Sequence, residues 1–120
     1  MPITWHDATR ELHLHNGRLS LVLAVLENDW LGQLHVGAPL DPAASYRHLG
    51  PADFRGFSNR VDEPIGLTVP TPGSGDFRIP ALVVEGPGGA TVLDLVYEDH
   101  WITAGKPALV NVLTDPTVVY

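Results

Sequence analysis

Residues 11–17 constrain the fold of this chain more than any other stretch. Glu11-Leu12-His13-Leu14-His15 alternates polar and apolar side chains, the period-two pattern of a half-buried strand. It runs directly into Asn16-Gly17, a pair that tolerates positive φ and marks a tight hairpin. Leu19-Ser20-Leu21-Val22-Leu23-Ala24-Val25-Leu26 follows. As a strand it places Leu19, Leu21, Leu23 and Val25 on one face and Val22, Ala24 and Leu26 on the other, so both faces must be covered. A short buried helix fits the periodicity equally well. The hairpin signal before the run and Asn28-Asp29 after it favour β structure.

The remainder continues in the same style. Trp30 to Val36 reads as another strand, ended by Gly37. Residues 64–69, 81–85 and 91–98 are further strand candidates. The bends between them are Pro70-Thr71-Pro72-Gly73-Ser74-Gly75 and Gly86-Pro87-Gly88-Gly89. The alternation of Leu93, Leu95 and Tyr97 against Asp94 and Glu98 is the clearest of these. Trp101-Ile102-Thr103, Leu109-Val110 and Val118-Val119-Tyr120 are apolar pieces of the tail. With 12 Gly and 11 Pro among 120 residues, short elements joined by tight turns are favoured over a helical bundle. The expected fold is all-β: an antiparallel β-sandwich, supersandwich-like fragment occupying residues 1–120 as a single domain. Residues 38 to about 63 lose periodicity, and a loop that long is uncommon in a compact domain unless it has a function.

Charge and composition exclude several classes of function. Net charge is −7, and the seven Lys and Arg residues are scattered from Arg10 to Lys106. Neither a polyanionic nucleic acid nor an anionic membrane surface fits that distribution. The chain has no cysteine, hence no disulfide, thiolate metal site or cysteine nucleophile. The start, Met1-Pro2-Ile3-Thr4-Trp5, lacks the basic and apolar regions of a signal peptide, so a cytoplasmic location is expected.

The chemistry-bearing residues each have a plain alternative. His13 and His15 share one strand face, as in some β-sheet zinc sites, and a third ligand could come from His35, His48 or His100. Without cysteine or a second close ligand pair, an ordinary strand face is the better reading, and no metal is expected. Asp53, Asp62, Glu63, Asp76, Glu98 and Asp99 could supply the acid and nucleophile of a glycosidase, but carboxylates also cap turns and solubilise surfaces. Gly73-Ser74-Gly75-Asp76 superficially resembles a phosphate loop. No helix follows it, so the anion-binding donors are missing. A tight bend in which Arg78 pairs with Asp76 or another acid is expected instead. Trp5, Trp30, Phe54, Phe57 and Trp101 could stack on sugar rings or pack in a core.

Several stretches, taken in order, resemble the amino-terminal region of α-galactosidases (melibiases) in glycoside hydrolase family thirty-six. They are Leu12-His13-Leu14; Val25-Leu26-Glu27-Asn28 with Leu31-Gly32 and Leu34 ahead of Gly37; and Tyr46-Arg47-His48-Leu49. The most specific is Gly75-Asp76-Phe77-Arg78-Ile79-Pro80-Ala81, similar to a Gly-x-Gly-Asp-Phe-Arg-x-Pro-Ala signature. Asp94-Leu95-Val96-Tyr97 and Gly105-Lys106-Pro107 follow at the family's spacing. Beyond that point the chain departs from the family's Leu-Pro-Ala-Thr-Tyr-type continuation, reading Leu109-Val110-Asn111-Val112-Leu113.

The resemblance implies a retaining glycosidase with an amino-terminal β-sandwich, a central (β/α)8 barrel that holds the catalytic aspartates, and a carboxy-terminal β-domain. A barrel needs about 250 residues, so the catalytic barrel is absent from this stretch. It also implies a homo-oligomer in which the amino-terminal domain sends an acidic loop toward a neighbouring galactoside site. Asp53, with Phe54 and Phe57, best matches that loop. Gly75, Asp76, Phe77, Arg78 and Pro80 match the structural motif. No cofactor is implied, and the α-galactoside substrate is bound only in the full enzyme. The rival reading is a free-standing carbohydrate-binding β-sandwich module. A third is a zinc-dependent β-barrel enzyme using His13 and His15.

Overall fold

The computed structural model describes residues 2–50, 66–74, 76 and 78–105. Its centre is a four-stranded antiparallel sheet in the order β1-β2-β3-β4. The strands are β1 (Ile3–His6), β2 (Glu11–His15), β3 (Ser20–Val25) and β4 (Leu31–Gly37). Each strand pairs with its successor in sequence, so three short turns build the whole meander.

The β2–β3 turn forms where Asn16-Gly17 places it. Asn16 Oδ1 accepts the backbone N–H groups of Arg18 at 3.0 Å and Leu19 at 2.9 Å. Gly17 takes φ of 77°, a left-handed conformation that glycine adopts without a side-chain clash. The β3–β4 turn places Asn28 and Asp29 in the left-handed region, at φ of 63° and 61°. Asn and Asp are the non-glycine residues that best tolerate this conformation. Leu26 N–H then closes the turn on the Trp30 carbonyl at 2.7 Å. Strand β1 is an addition to the sequence reading. Ile3-Thr4-Trp5-His6 is too short to show periodicity of its own, and its pairing with β2 forms it.

The register settles which side chains share a face. Trp5, Leu12 and Leu23 are cross-strand partners, as are Ile3, Leu14 and Leu21. The opposite face carries Thr4 and His6 from β1, Glu11, His13 and His15 from β2, and Ser20, Val22 and Ala24 from β3. A β-bulge sets the fourth strand. Leu23 faces Gln33 while Val22 faces His35, leaving Leu34 as the extra residue. The bulge therefore turns His35 onto the face that holds His13.

Each face has its own cover. On the leucine-bearing face the Trp5 ring stacks on Tyr97, centroids 6.1 Å apart and 12° from parallel, and tilts against His100 at 4.4 Å. The polar face lies beneath residues 38–50, a strap described below. At the free edge of β4, Gly32 bridges Leu67, with Gln33 N–H donating to the Gly66 carbonyl and Thr68 N–H to Leu31. Val22 and Ala24 on the polar face and Val25 on the leucine-bearing face are buried, as a doubly covered strand requires.

The all-β expectation is met. The strand candidates over 81–85 and 91–98 differ: they form no regular strand and belong to no ladder. Their backbone contacts are isolated ones, such as Ala81 N–H to the Pro70 carbonyl and Tyr97 N–H to the Asp29 carbonyl. Alternation specifies a strand's two faces and leaves its neighbours unspecified, and among the described residues no neighbour pairs with these segments. Val92 and Trp101 are left 78% and 80% exposed. Among the described residues no helix is long and apolar enough to cross a membrane.

Candidate functional site

The most organised chemistry in the described residues lies between the polar sheet face and the strap. Glu11 points inward because it shares strand parity with His13, opposite Ala24. It is completely buried. A buried carboxylate needs partners, and the strap supplies them. Ser45 Oγ donates to Oε1 at 2.7 Å and the Tyr46 backbone N–H donates to Oε2 at 2.9 Å. The Arg47 guanidinium lies 3.4 Å from Oε1. It also donates to the carbonyls of Thr9 at 2.8 Å and Val25 at 2.7 Å, binding the open end of the β2–β3 hairpin to the strap.

Two residues along β2, His13 occupies the same interior. Its Nε2 lies 2.9 Å from Ser20 Oγ and its Nδ1 lies 3.2 Å from Tyr46 Oη. The surrounding bonds assign the tautomer. The one proton of Tyr46 goes to the Asp41 carbonyl at 2.9 Å, so its oxygen accepts from His13 Nδ1–H and from Ala43 N–H. Ser20 Oγ accepts from Leu40 N–H at 3.0 Å and donates to His13 Nε2. The neutral imidazole is thereby satisfied at both nitrogens. Burial first, then the neighbouring His15, His6 and His35, pushes its pKa below the ordinary histidine range.

That arrangement commits His13 to protein partners. The His13 and His15 rings do meet, with centroids 4.7 Å apart. Both His13 nitrogens are nevertheless occupied by protein partners. Among the described residues no group of three His, Cys, Asp or Glu is placed to hold a metal ion.

The second organised feature is the Asp76–Arg78 pair, and the expected pairing is present. Arg78 Nε lies 2.9 Å from Asp76 Oδ1, and its terminal nitrogen lies 2.6 Å from Oδ2. The fork also clasps a neighbour: Leu67 N–H donates to Asp76 and Arg78 donates to the Leu67 carbonyl. Leu67 is the residue bridged to Gly32, so the pair fastens segment 66–68 to the edge of β4. Hydrogen bonds from Arg78 hold the Asp76 carboxyl below its usual range, against the opposing effect of burial. Pro80 is exposed; Gly75 and Phe77 lie outside the described residues.

Asp53, Phe54 and Phe57 also lie outside the described residues, as do Asp62 and Glu63. Glu98 and Asp99 help line a cavity of about 640 Å3 whose walls include Trp30, Tyr97 and Trp101. There the Trp30 indole N–H donates to Asp94 at 2.6 Å, which fixes the ring. Sequence reasoning missed the buried role of Glu11. The signal was available, because Glu11 shares parity with His13 in a strand whose partner is covered on both sides. Tyr46-Arg47 stood out only as part of a resemblance, with no role attached.

The sequence pattern of the glycosyl hydrolase family 36 N-terminal domain matches residues 29–115. The chain belongs to this family. The span includes the strap, the Asp76–Arg78 fork and the Trp30 cavity. Among curated relatives, Alpha-galactosidase 1 of Pediococcus pentosaceus is 34% identical over 116 residues, covering 89% of this chain and 16% of that protein. Alpha-galactosidase AgaA of Geobacillus stearothermophilus is 30% identical, covering 91% of this chain and 16% of the relative. The crystal structure of the GH36 α-galactosidase AgaB from Geobacillus stearothermophilus superimposes with a TM-score of 0.72 at 30% identity. It covers 91% of this chain and 16% of that one. This family 36 N-terminal domain thus spans about 16% of the length of the relatives it matches.

Proposed function

We propose that this chain is the non-catalytic amino-terminal portion of an α-galactosidase-like retaining glycoside hydrolase of the cytoplasm. Its roles are to scaffold a catalytic barrel, support homo-oligomerisation and contribute a loop to the galactoside site. One observation carries the reading: the chain matches the N-terminal domain of a glycosidase family and aligns with 16% of its α-galactosidase relatives. The remaining length of those relatives is where a barrel of about 250 residues would be accommodated.

The geometry is compatible with a scaffold. Among the described residues, Glu11, Arg47, Asp76 and Arg78 bind the chain to itself. In this reading the loop contribution falls to Asp53, whose carboxylate would accept hydrogen bonds from sugar hydroxyls. Phe54 and Phe57 would cover an apolar ring face.

A second reading has its own observation. Trp101 is 80% exposed beside the cavity in which Trp30 is fixed by Asp94, an arrangement that suits a carbohydrate-binding module. Titrating the purified chain with galactose and raffinose while following tryptophan fluorescence separates the two. The scaffold reading expects no saturable change into the millimolar range, and a saturable quench favours the module.

A further inference from the structure

We propose that residues 38–50 form a pH-sensitive latch, which protonation of His13 opens while the four-stranded sheet stays paired. The latch is a circuit of hydrogen bonds in which each proton has one place to go. Leu40 N–H donates to Ser20 Oγ, Ser20 donates to His13 Nε2, His13 Nδ1–H donates to Tyr46, and Tyr46 donates to the Asp41 carbonyl. Two of the four donors belong to the strap and two to the sheet. The circuit therefore joins the layers directly.

A second proton on the imidazole breaks the sequence at one point. Nε2 then carries a hydrogen and faces a hydroxyl that must give up its role as donor. Ser20 is fully buried and its oxygen already accepts Leu40 N–H, so its own proton is left without the partner it had. The charge also has poor company. His6 from β1, His15 from β2 and His35 from β4 face it from the sheet, and each of them opposes a further positive charge there. From the strap come Tyr46, Arg47 and the Asp41 carbonyl. Glu11, the carboxylate on the same face of β2, is engaged by Ser45, the Tyr46 N–H and Arg47.

The consequences fall on the strap and spare the sheet. The β2–β3 ladder is held by backbone bonds that do not involve the imidazole. A cavity of about 240 Å3 lies between the two layers, with His6, His15, Pro39, Leu40 and Pro42 in its wall. Water entering there can take over the partners that the strap releases.

Hydrogen exchange on the full chain, read residue by residue by NMR, tests the latch. After correction for intrinsic exchange, protection at Leu40, Ala43 and Tyr46 is expected to fall at least about tenfold between about pH 7.5 and about pH 5. Amides within the β2–β3 ladder should keep theirs. His13→Gln retains one donor and one acceptor but gains no proton, so the step should vanish. Ring nitrogen shifts of the unmodified chain give a second readout if that variant does not fold: His13 should be the Nδ1–H tautomer at neutral pH and titrate below an exposed histidine. The latch is overturned by strap amides that track the ladder at every pH, by a step that persists in His13→Gln, or by a His13 that titrates like a solvated imidazole.

Discussion

The Glu11 carboxylate accepts the backbone N–H of Tyr46, 35 residues further along the chain, at 2.9 Å in a fully buried setting. This bond joins the first hairpin to the strap. Replacing Glu11 with Gln keeps the shape but turns an amide NH2 toward either Tyr46 N–H or the Ser45 hydroxyl, and it strips Arg47 of its counter-charge. The variant is expected to lose about 1.5–3 kcal/mol of stability, the range for hydrogen bonds to a charged partner. Urea unfolding followed by tryptophan fluorescence measures it. A loss below half a kcal/mol, on the order of a surface substitution, contradicts the assignment.

Stability should rise with pH below neutrality. The unfolded chain takes up a proton on His13 near the ordinary value of about 6.5, whereas the folded chain resists it. The unfolded state therefore binds more protons through the interval just beneath that value, which destabilises the fold as pH falls. The His13 contribution is complete above about pH 6.5 and is lost on descent toward its folded pKa. In His13→Gln the slope over that interval should flatten. Asp76 adds a separate acid limb. Its carboxyl is depressed mainly by hydrogen bonds from Arg78, so its contribution is full above its ordinary value and fades as pH drops beneath it.

Asn16→Ala removes the acceptor of two backbone N–H groups in the β2–β3 turn. About 1 kcal/mol of stability should be lost, with the register unchanged because the leucine face still specifies it. Thermal unfolding and the cross-strand NOEs of Leu12 with Leu23 check both parts.

Gly73 sits at φ of +85°, and an added Cβ would come within 2.9 Å of Val92 Cγ1. Gly73→Ala should cost about 1–2 kcal/mol from the backbone conformation alone. Gly88→Ala is the control. It shares the left-handed geometry, at φ of +81°, but has open space at the Cβ position. The difference between the two melting temperatures isolates the Val92 contact.

The parts of this fold that are legible in the sequence are those governed by neighbours a few residues apart. Asn16-Gly17 sets the hairpin, alternation over residues 11–15 and 19–26 sets the faces, and the spacing of Asp76 and Arg78 makes their pairing available. What stays hidden depends on residues brought together from afar. The bulge at Leu34 that turns His35 inward arises from the match between β3 and β4, and no local pattern announces it. Strand β1 exists because β2 offers it an edge. The segments over 81–85 and 91–98 have strand-like side-chain order without a described partner to complete it. The parity of Glu11 with His13 is legible, but its partners at residues 45–47 come from far along the chain.

In the proposed enzyme the bond-breaking groups reside outside this stretch of chain. Rigorously purified chain, free of host glycosidases, should release no p-nitrophenol from p-nitrophenyl α-galactoside above the buffer rate. Turnover that follows the chain through successive chromatographic steps and disappears with substitution of one of its own carboxylates would contradict it.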